Sequence, residues 1–448
     1  MKSTSEEFTT TPARRSMSLR GNVVWTFGGT LVYSVAQWAM LASISKLGTP
    51  YMVGQFALGL AVSAPVYMFT NMQLRTIQAT DAKGIFSFPD YFGLRVVASA
   101  AGLAIVLLLA IFNGDSHQTK LIIIAVGAAK CLESLSDAVY GLCQKHERMK
   151  FISISLGIKG IGSVAALFLI LRLTHSLFQA SCAMAAWWLL LFVCVDLRWA
   201  AHLVKLEPPH PRKWLPHFNR RTLARLSFVA FPMGIQTMLA SLAVNVPRYV
   251  VDHDMGTAML GRFAAMAYFI VAGHTVIAAV GNSVQAPLSR CWHSSLPAFR
   301  RLLFKCGAFA FAVGLAGAIL AAVAGRAILT LFYNPEYATH PEVFVMLMFS
   351  AAFYYVGSIL GGGVAIVRRF WTYTLLYSCV PLLALLVAWL LIPRIGLMGA
   401  AVATLAYCVA NAVIPIAVIA SAHKDEARLR AVEPLPRGSA YATFSGSA

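Results

Sequence analysis

Long apolar segments recur along the whole chain and constrain its fold more than any other feature. Each is close to the ~20 residues that an α-helix needs to cross the hydrocarbon core of a bilayer. Glycine, serine and proline inside them are compatible with helix, because neighbouring membrane helices satisfy the freed backbone groups. The pattern predicts an all-α polytopic membrane protein with about twelve transmembrane helices, at residues 21–44, 51–73, 93–112, 121–142, 152–171, 177–197, 226–246, 259–285, 304–324, 342–362, 371–392 and 396–420.

The composition supports a membrane protein. Hydrophobic residues make up 59% of the 448 and charged residues only 12%, about half the charged fraction of a soluble protein. Residues 1–20 are polar, and the first apolar segment is too long for the core of a signal peptide, so we expect it to remain as the first span. The eight cysteines lie in or near spans without a CxxC spacing. We therefore expect no disulfide framework, no metal site and no cofactor.

The distribution of lysine and arginine predicts the orientation. With the N-terminus in the cytoplasm, most of the 36 Lys and Arg residues fall on the cytoplasmic side, which predicts that both termini are cytoplasmic. The net charge of +19 then reflects topology and attraction to anionic lipid headgroups. Because no basic patch lies on a soluble domain, we expect no nucleic-acid partner. The opposite side holds Lys46, Lys120, Arg172, Arg248, Arg326 and Arg394.

A polar connection rich in Pro, His and Arg, "RWAAHLVKLEPPHPRKWLPHFNRRTLAR", divides the spans into two groups of six. The predicted organisation is a cytoplasmic N-terminal tail at 1–20, a first six-helix bundle at 21–200, a basic cytoplasmic linker at 201–224, a second six-helix bundle at 225–421 and a cytoplasmic tail at 422–448.

The two groups contain a short internal repeat. The stretch "LGTPYMVGQFALGLAV" from Leu47 matches "MGTAMLGRFAAMAYFI" from Met255, and each opens the second span of its group. Because six is even, both groups enter from the same side, so the repeat is parallel. Two such bundles around a central cavity are a transporter architecture. The match pairs Gly48 with Gly256, Gly54 with Gly261, Gln55 with Arg262 and Phe56 with Phe263.

Charged residues lie inside the predicted spans. A helix rises about 14 Å from Leu121 to Lys130, which places Lys130 near the bilayer centre, and Lys159 reaches a similar depth in the next span. Glu133 and Asp137 share a helix face with Lys130 because they follow at spacings of three and four residues. A charge at this depth costs at least about 2.5–3.5 kcal/mol, so these side chains should face the bundle interior or water.

Two explanations fit these charges. In the first, Lys130 and Glu133 neutralise each other and Asp137 pairs with a neighbour such as Lys159, which gives a packing network without a ligand. In the second, the cations line a hydrated cavity and hold an anionic substrate, while Glu133 and Asp137 tune the lysines or carry a coupling ion.

Two arginines are further candidate cavity cations. Arg262 lies near the outer end of its span and Arg248 at an outer helix boundary, where snorkelling to the interface is the alternative explanation. Arg75 marks the inner end of the second span, as a topology signal or a cavity mouth. An interfacial aromatic belt is expected to include Trp187, Trp188, Tyr354 and Tyr355.

The sequence resembles the polysaccharide transporter family, the Wzx-type flippases for lipid-linked oligosaccharides. This family belongs to the multidrug/oligosaccharidyl-lipid/polysaccharide exporter superfamily. The resemblance covers residues 23–420 and rests on "GLCQKHERMKFISISLGIKGIGSV", "FPMGIQTMLASLAVNVPRYVVDHDMGTAMLGRFAAMAYF" and "PRIGLMGAAVATLAYCVAN". Its most specific element is Pro247-Arg248-Tyr249 followed by Gly261.

The resemblance implies alternating access between two bundles in the bacterial inner membrane. The implied function is export of exopolysaccharide, capsule or O-antigen by flipping undecaprenyl-pyrophosphate-linked sugar units, with an ion gradient as the energy source. Lys130, Lys159 and Arg262 would then hold pyrophosphate or acidic sugars, with Arg248 as a further candidate. Glu133 and Asp137 would couple the ion. A polymerase and a chain-length regulator are possible partners that the sequence leaves open.

Other classes fit the sequence less well. No Walker A, GxGxxG, HExxH or GxSxG motif is present, so we do not expect an enzyme. A polysaccharide polymerase would need a large outer loop, which the predicted topology lacks. A major-facilitator transporter would carry a Gly-Asp-Arg-Gly-Arg loop where this chain has "LRTIQATDAKG". A cation-coupled multidrug exporter of the same superfamily stays open; it should show more acids than bases in its interior.

Overall fold

The computed structural model describes residues 19–81, 84–112, 114, 116–205, 215–367 and 369–432 of the protein, and most of these residues are helical. No strand occurs among these residues. The helices are α1 (Leu19–Leu47), α2 (Pro50–Asn71), α3 (Leu74–Thr80), α4 (Phe88–Phe112), α5 (His117–Lys145), α6 (Met149–Thr174), α7 (Leu177–Leu191), α8 (Leu197–Val204), α9 (Arg220–Met255), α10 (Thr257–Ser294), α11 (Leu296–Phe332), α12 (Pro341–Val367), α13 (Phe370–Tyr377), α14 (Cys379–Ile395) and α15 (Leu397–Val432).

The helices combine into twelve membrane-crossing units within the described residues. Eleven spans are long and apolar enough to cross a membrane, with α2 continuing into α3, α7 into α8 and α13 into α14. Helix α5 is the twelfth unit. It is too polar to qualify by composition, but its 29 residues would extend about 43 Å, and it packs against α2, α4 and α7. The predicted fold class is confirmed.

The helix ends follow from local chemistry. Thr49 caps α2 by accepting a hydrogen bond from the Met52 N–H, and Pro50 occupies the first helical turn, where no partner for its nitrogen is needed. Ser116 caps α5 in the same way through Thr119. Helices α9 and α10 meet at Gly256, whose φ of 84° is a conformation that side chains disfavour. Short connections of this kind make successive helices antiparallel neighbours.

The spans form two bundles with equivalent packing. In the first bundle α1 packs on α6, α4 on α5, α2 on α5, α5 on α7 and α6 on α7. Each contact has a counterpart in the second bundle: α9 on α14, α11 on α12, α10 on α12, α12 on α15 and α14 on α15. This correspondence in chain order is the parallel repeat that the sequence predicts.

The bundles meet along α2, α9 and α10. A Cβ atom on Gly54 would overlap the carbonyl oxygen of Thr257, and one on Gly261 would overlap that of Pro50. The helices therefore approach closely only because both positions are glycine. Tyr249 of α9 donates a hydrogen bond to the carbonyl oxygen of Ala61. Gly54 and Gly261, which are matched in the repeat, thus lie at the interface between the bundles.

The outer surface of the bundles is apolar. Phe112 and Phe228 expose 83% and 84% of their surface, which suits contact with lipid tails rather than water. The multi-pass membrane location predicted from the sequence follows from these surfaces and from the spans.

The helices extend past several of the predicted domain boundaries. Helix α8 ends at Val204 and α9 begins at Arg220, inside the predicted linker, and α15 runs to Val432, past the predicted start of the C-terminal tail. Residues 1–18, 206–214 and 433–448 of the predicted tails and linker lie outside the described residues. The division into these ranges stays a prediction.

Candidate functional site

Helix α5 places two charged side chains in contact near the middle of its length. The Lys130 Nζ donates to Glu133 Oε2 at 2.7 Å, one turn along the helix. Tyr33 of α1 donates its hydroxyl to the other oxygen of Glu133 at 2.5 Å. The side chains of Lys130 and Glu133 keep 23% and 28% of their surface exposed. The pair predicted between Lys130 and Glu133 is present, and both side chains are partly accessible.

Lys159 lies deeper in the same bundle. Its side chain is 0% exposed, and its Nζ has no hydrogen-bond partner. The ammonium instead lies 5.3 Å from the ring centroid of Tyr140 and 5.5 Å from that of Trp188. Aromatic faces attract cations, more strongly when water is excluded, but they leave the N–H donors of Lys159 unused.

Trp188 joins the two lysines. The Lys130 Nζ lies 5.9 Å from the centroid of its ring, and the Lys159 Nζ lies over the same ring. The ring is held in place because its Nε1 donates to Ser163 Oγ at 2.6 Å. The fold therefore brings Lys130 of α5 and Lys159 of α6 to one indole of α7. A small void beside this group is lined by Gln37, Met40, Phe56, Leu60, Val126, Ala129, Lys130, Met184 and Trp188.

Asp137 pairs with two neighbouring arginines and not with Lys159, the neighbour that the packing explanation gave as its example. Its Oδ2 accepts from Arg95 NH2 at 3.0 Å and its Oδ1 from Arg75 NH1 at 3.4 Å. Arg95 is 0% exposed, and it also donates to Asn71. Both oxygens of Asp137 are thus engaged, as are both oxygens of Glu133.

The second bundle holds the other two predicted cations. Arg248 donates to Asn245 Oδ1 at 3.0 Å and lies within electrostatic range of Tyr249, Tyr268 and Tyr407. About 10 Å of helix separate it from the end of α9. Arg262 lies in the second turn of α10, and its buried Nε has no hydrogen-bond partner.

The structure thus brings Lys130, Lys159 and Glu133 together in the first bundle and places Arg248 and Arg262 in the second. Among the salt bridges of the described residues, none involves Arg248 or Arg262. Their part in binding stays a prediction.

Several site residues were missed by sequence reasoning. Arg95 lies only two residues after the start of the predicted third span, where a basic residue resembles a topology signal. Asp196 is the second-last residue of the predicted sixth span, where an acid resembles a helix terminus, although an acid inside "FVCVDLRW" is a usable signal. The predicted aromatic belt is wrong for Trp188 and Tyr355, which are 2% and 1% exposed. The belt was inferred from residue type, which does not distinguish a packed aromatic from an interfacial one.

Comparisons with known proteins agree with this architecture. The sequence model of a family described as polysaccharide biosynthesis protein matches residues 19–290. The capsular polysaccharide biosynthesis protein CapF of Staphylococcus aureus is 25% identical over 389 residues, which cover 85% of this chain and 94% of CapF.

Two kinds of solved structure share the fold. The lipid II flippase MurJ in an inward closed conformation superposes with a TM-score of 0.68 at 12% identity, covering 92% of each chain. A MATE structure in complex with MaL6 gives 0.62 at 13% identity, covering 91% of this chain and 96% of that one. At such low identity the likeness shows the fold alone.

Proposed function

Because the chain belongs to the polysaccharide biosynthesis protein family, which matches the resemblance found in its sequence, we propose that it flips lipid-linked oligosaccharides across a membrane. The substrate is an oligosaccharide carried on undecaprenyl pyrophosphate, for export of exopolysaccharide, capsule or O-antigen. The membrane is the bacterial inner membrane, and both termini face the cytoplasm. The two bundles alternate access to the two leaflets, driven by an ion gradient.

The observation that carries this proposal is the unpartnered ammonium of Lys159 beside the half-open pair of Lys130 and Glu133. A buried cation without an acceptor costs several kcal/mol, so a site that keeps one is suited to an anion that arrives later. Pyrophosphate oxygens can accept from both lysines, since an ammonium binds phosphate as a compact point charge with three donors.

The balance of charge in the first bundle supports an anionic substrate. Interior cations outnumber carboxylates by one, and the spare charge favours a phosphate over a cationic drug. The cations are Arg75, Arg95, Lys130 and Lys159, and the carboxylates are Glu133, Asp137 and Asp196.

The proposal is tested by the leaflet location of the lipid-linked sugar in a strain that lacks this protein. Right-side-out and inverted vesicles are treated with a membrane-impermeant glycan-modifying reagent. The expected result is accumulation of the intermediate on the cytoplasmic face, reversed by the wild-type gene. An intermediate that still reaches the outer face would overturn the flippase proposal and favour drug export by the same fold.

A further inference from the structure

Asp196 is a buried carboxylate that none of the ion pairs described above uses. It ends the π-helical turn Phe192–Asp196 between α7 and α8 and is 0% exposed. Its Oδ1 accepts a hydrogen bond from Ser155 at 2.7 Å, but its Oδ2 has no partner. The fully buried hydroxyl of Ser136 is a second donor close enough to Asp196 to stabilise its ionised form, but it completes no hydrogen bond with Oδ2. A buried carboxylate oxygen without a complete hydrogen bond is costly, and a proton bound to Oδ2 would remove that cost.

Lys159 and Asp196 flank the same hydrogen-bonded pair without touching. Ser155 Oγ lies 2.8 Å from the hydroxyl of Tyr140, whose ring faces the Lys159 ammonium. Because Ser155 has one hydrogen and donates it to Asp196, Tyr140 must donate to Ser155. The charged groups of Lys159 and Asp196 attract each other electrostatically but form no contact within 4.0 Å among the described residues.

The surroundings of Asp196 seal it from water. An apolar cluster at this end of the bundle includes Phe192, Cys143 and Ile152.

The titratable groups that face Asp196 are Lys159 from α6 and Tyr140 and Cys143 from α5. Three further charged residues of α5 interact electrostatically with Lys159: Glu133, Asp137 and Lys130. Each of them already has a charged partner.

We propose that Asp196 binds a proton, and that this proton controls how strongly Lys159 holds an anion. With Asp196 ionised, its charge compensates Lys159 through the low-dielectric interior. When a proton adds to the free Oδ2, Lys159 becomes an uncompensated cation and its affinity for phosphate oxygens rises. By thermodynamic linkage, an anion that binds Lys159 promotes proton uptake at Asp196. The identity of the anion, a lipid pyrophosphate, rests on the proposed function; the proton site does not.

Proton uptake on ligand binding tests the coupling. The purified full-length protein, in weakly buffered detergent solution with a pH-sensitive dye, is titrated with undecaprenyl pyrophosphate. Wild type should take up protons as the lipid binds, and its affinity should rise as the pH falls. Asp196→Asn should take up fewer protons than wild type, and the remaining pH dependence of its affinity should be that of the terminal phosphate of the lipid, whose second pKa is about 6. Glu342→Gln, an exposed carboxylate of the second bundle, is the matched control and should behave as wild type.

A second variant covers the case in which Asp196→Asn does not fold. Ser155→Ala removes the hydrogen bond that stabilises the ionised carboxylate, so the pH midpoint of lipid binding should rise by about one unit. Proton uptake by Asp196→Asn equal to that of wild type, or an unchanged midpoint in Ser155→Ala, would overturn the proposal.

A ligand-free measurement separates this proposal from the flippase proposal. The melting temperature of wild type should vary with pH through a transition that Asp196→Asn lacks, whether or not the lipid binds. If the lipid does not bind but this transition is present, the proton site stands and the proposed substrate fails. Identical pH curves for the two proteins would overturn the proton site. Stabilisation of wild type but not Asp196→Asn by sodium at constant pH would make the occupant a sodium ion and overturn the proton assignment.

Discussion

Gly54 of α2 and Gly261 of α10 lie at one crossing between the two bundles, each against the backbone of the other's helix. A side chain on Gly54 would strike Thr257, and one on Gly261 would strike Pro50. The contact is reciprocal, as expected for a pseudo-twofold axis along the membrane normal. Because α2 and α10 join the bundles, this crossing sets their separation.

Replacing Gly54 with alanine should therefore destabilise the protein. Overpacking of a tight contact costs about 1–3 kcal/mol, which outweighs the gain of up to about 1 kcal/mol that alanine brings to a helix. Thermal unfolding in detergent measures the change. Gly157→Ala in α6 is the control, since nothing lies within 4 Å of a Cβ there, and its melting temperature should stay the same or rise. Equal behaviour of the two variants would contradict the proposed crossing.

Glu133→Gln should weaken the fold more than removal of both partners of the pair. The single change leaves Lys130 without its acceptor, which we expect to cost about 1–2 kcal/mol in this partly exposed site. The double variant Lys130→Met/Glu133→Gln removes both charges and should recover part of that loss. Lipid pyrophosphate binding should nevertheless stay weak in the double variant, because it lacks one ammonium. A double variant that binds like wild type would show that the pair serves packing only.

Reporter fusions should place both termini in the cytoplasm. Twelve crossings put the chain ends on the same side, and the lysine and arginine bias assigns that side. A reporter fused after Val432 should give a cytoplasmic signal, whereas one inserted between α1 and α2, at Gly48, should report the outer side. The same signal from both positions would contradict the twelve-span arrangement.

Asp81, in the loop after α3, should stabilise the protein at neutral pH and less in acid. Burial alone would raise the pKa of Asp81, but hydrogen bonds from the Phe86 and Ile85 N–H groups and from Tyr91 outweigh burial and lower the pKa. This stabilisation is present above the unfolded pKa of about 3.9 and is lost as the pH falls through the lower folded value. Asp81→Asn should flatten the acid side of the stability curve. An unchanged curve in thermal unfolding at several pH values would contradict this assignment.

The sequence was sufficient for the fold because the bilayer imposes a strong rule on each span. Every span needs about 20 apolar residues, so twelve helices could be located from composition and the repeat from the pattern around Gly54 and Gly261. Helix ends were less accurate, because polar first and last turns such as those of α9 extend beyond the apolar core.

The site was predicted only in part, since pairing depends on tertiary contacts. Helical spacing predicted the contact between Lys130 and Glu133 within one helix. The partners of Asp137 lie on α3 and α4. The indole ring of Trp188 on α7 contacts the ammonium of Lys159 on α6. No local spacing encodes these contacts. Asp196 was missed because a single acid near the end of an apolar segment resembles a helix terminus.

Reconstituted flipping tests the central claim most directly. Proteoliposomes with purified wild type and an undecaprenyl-pyrophosphate-linked oligosaccharide are treated with an impermeant glycan-modifying reagent. We predict that wild type makes the inner-leaflet lipid accessible, and that Lys130→Ala/Lys159→Ala does not, although it inserts at normal abundance. The control variant Lys305→Ala, at an exposed position of α11, should flip the lipid at the wild-type rate. Flipping by the double variant at the wild-type rate would contradict the account.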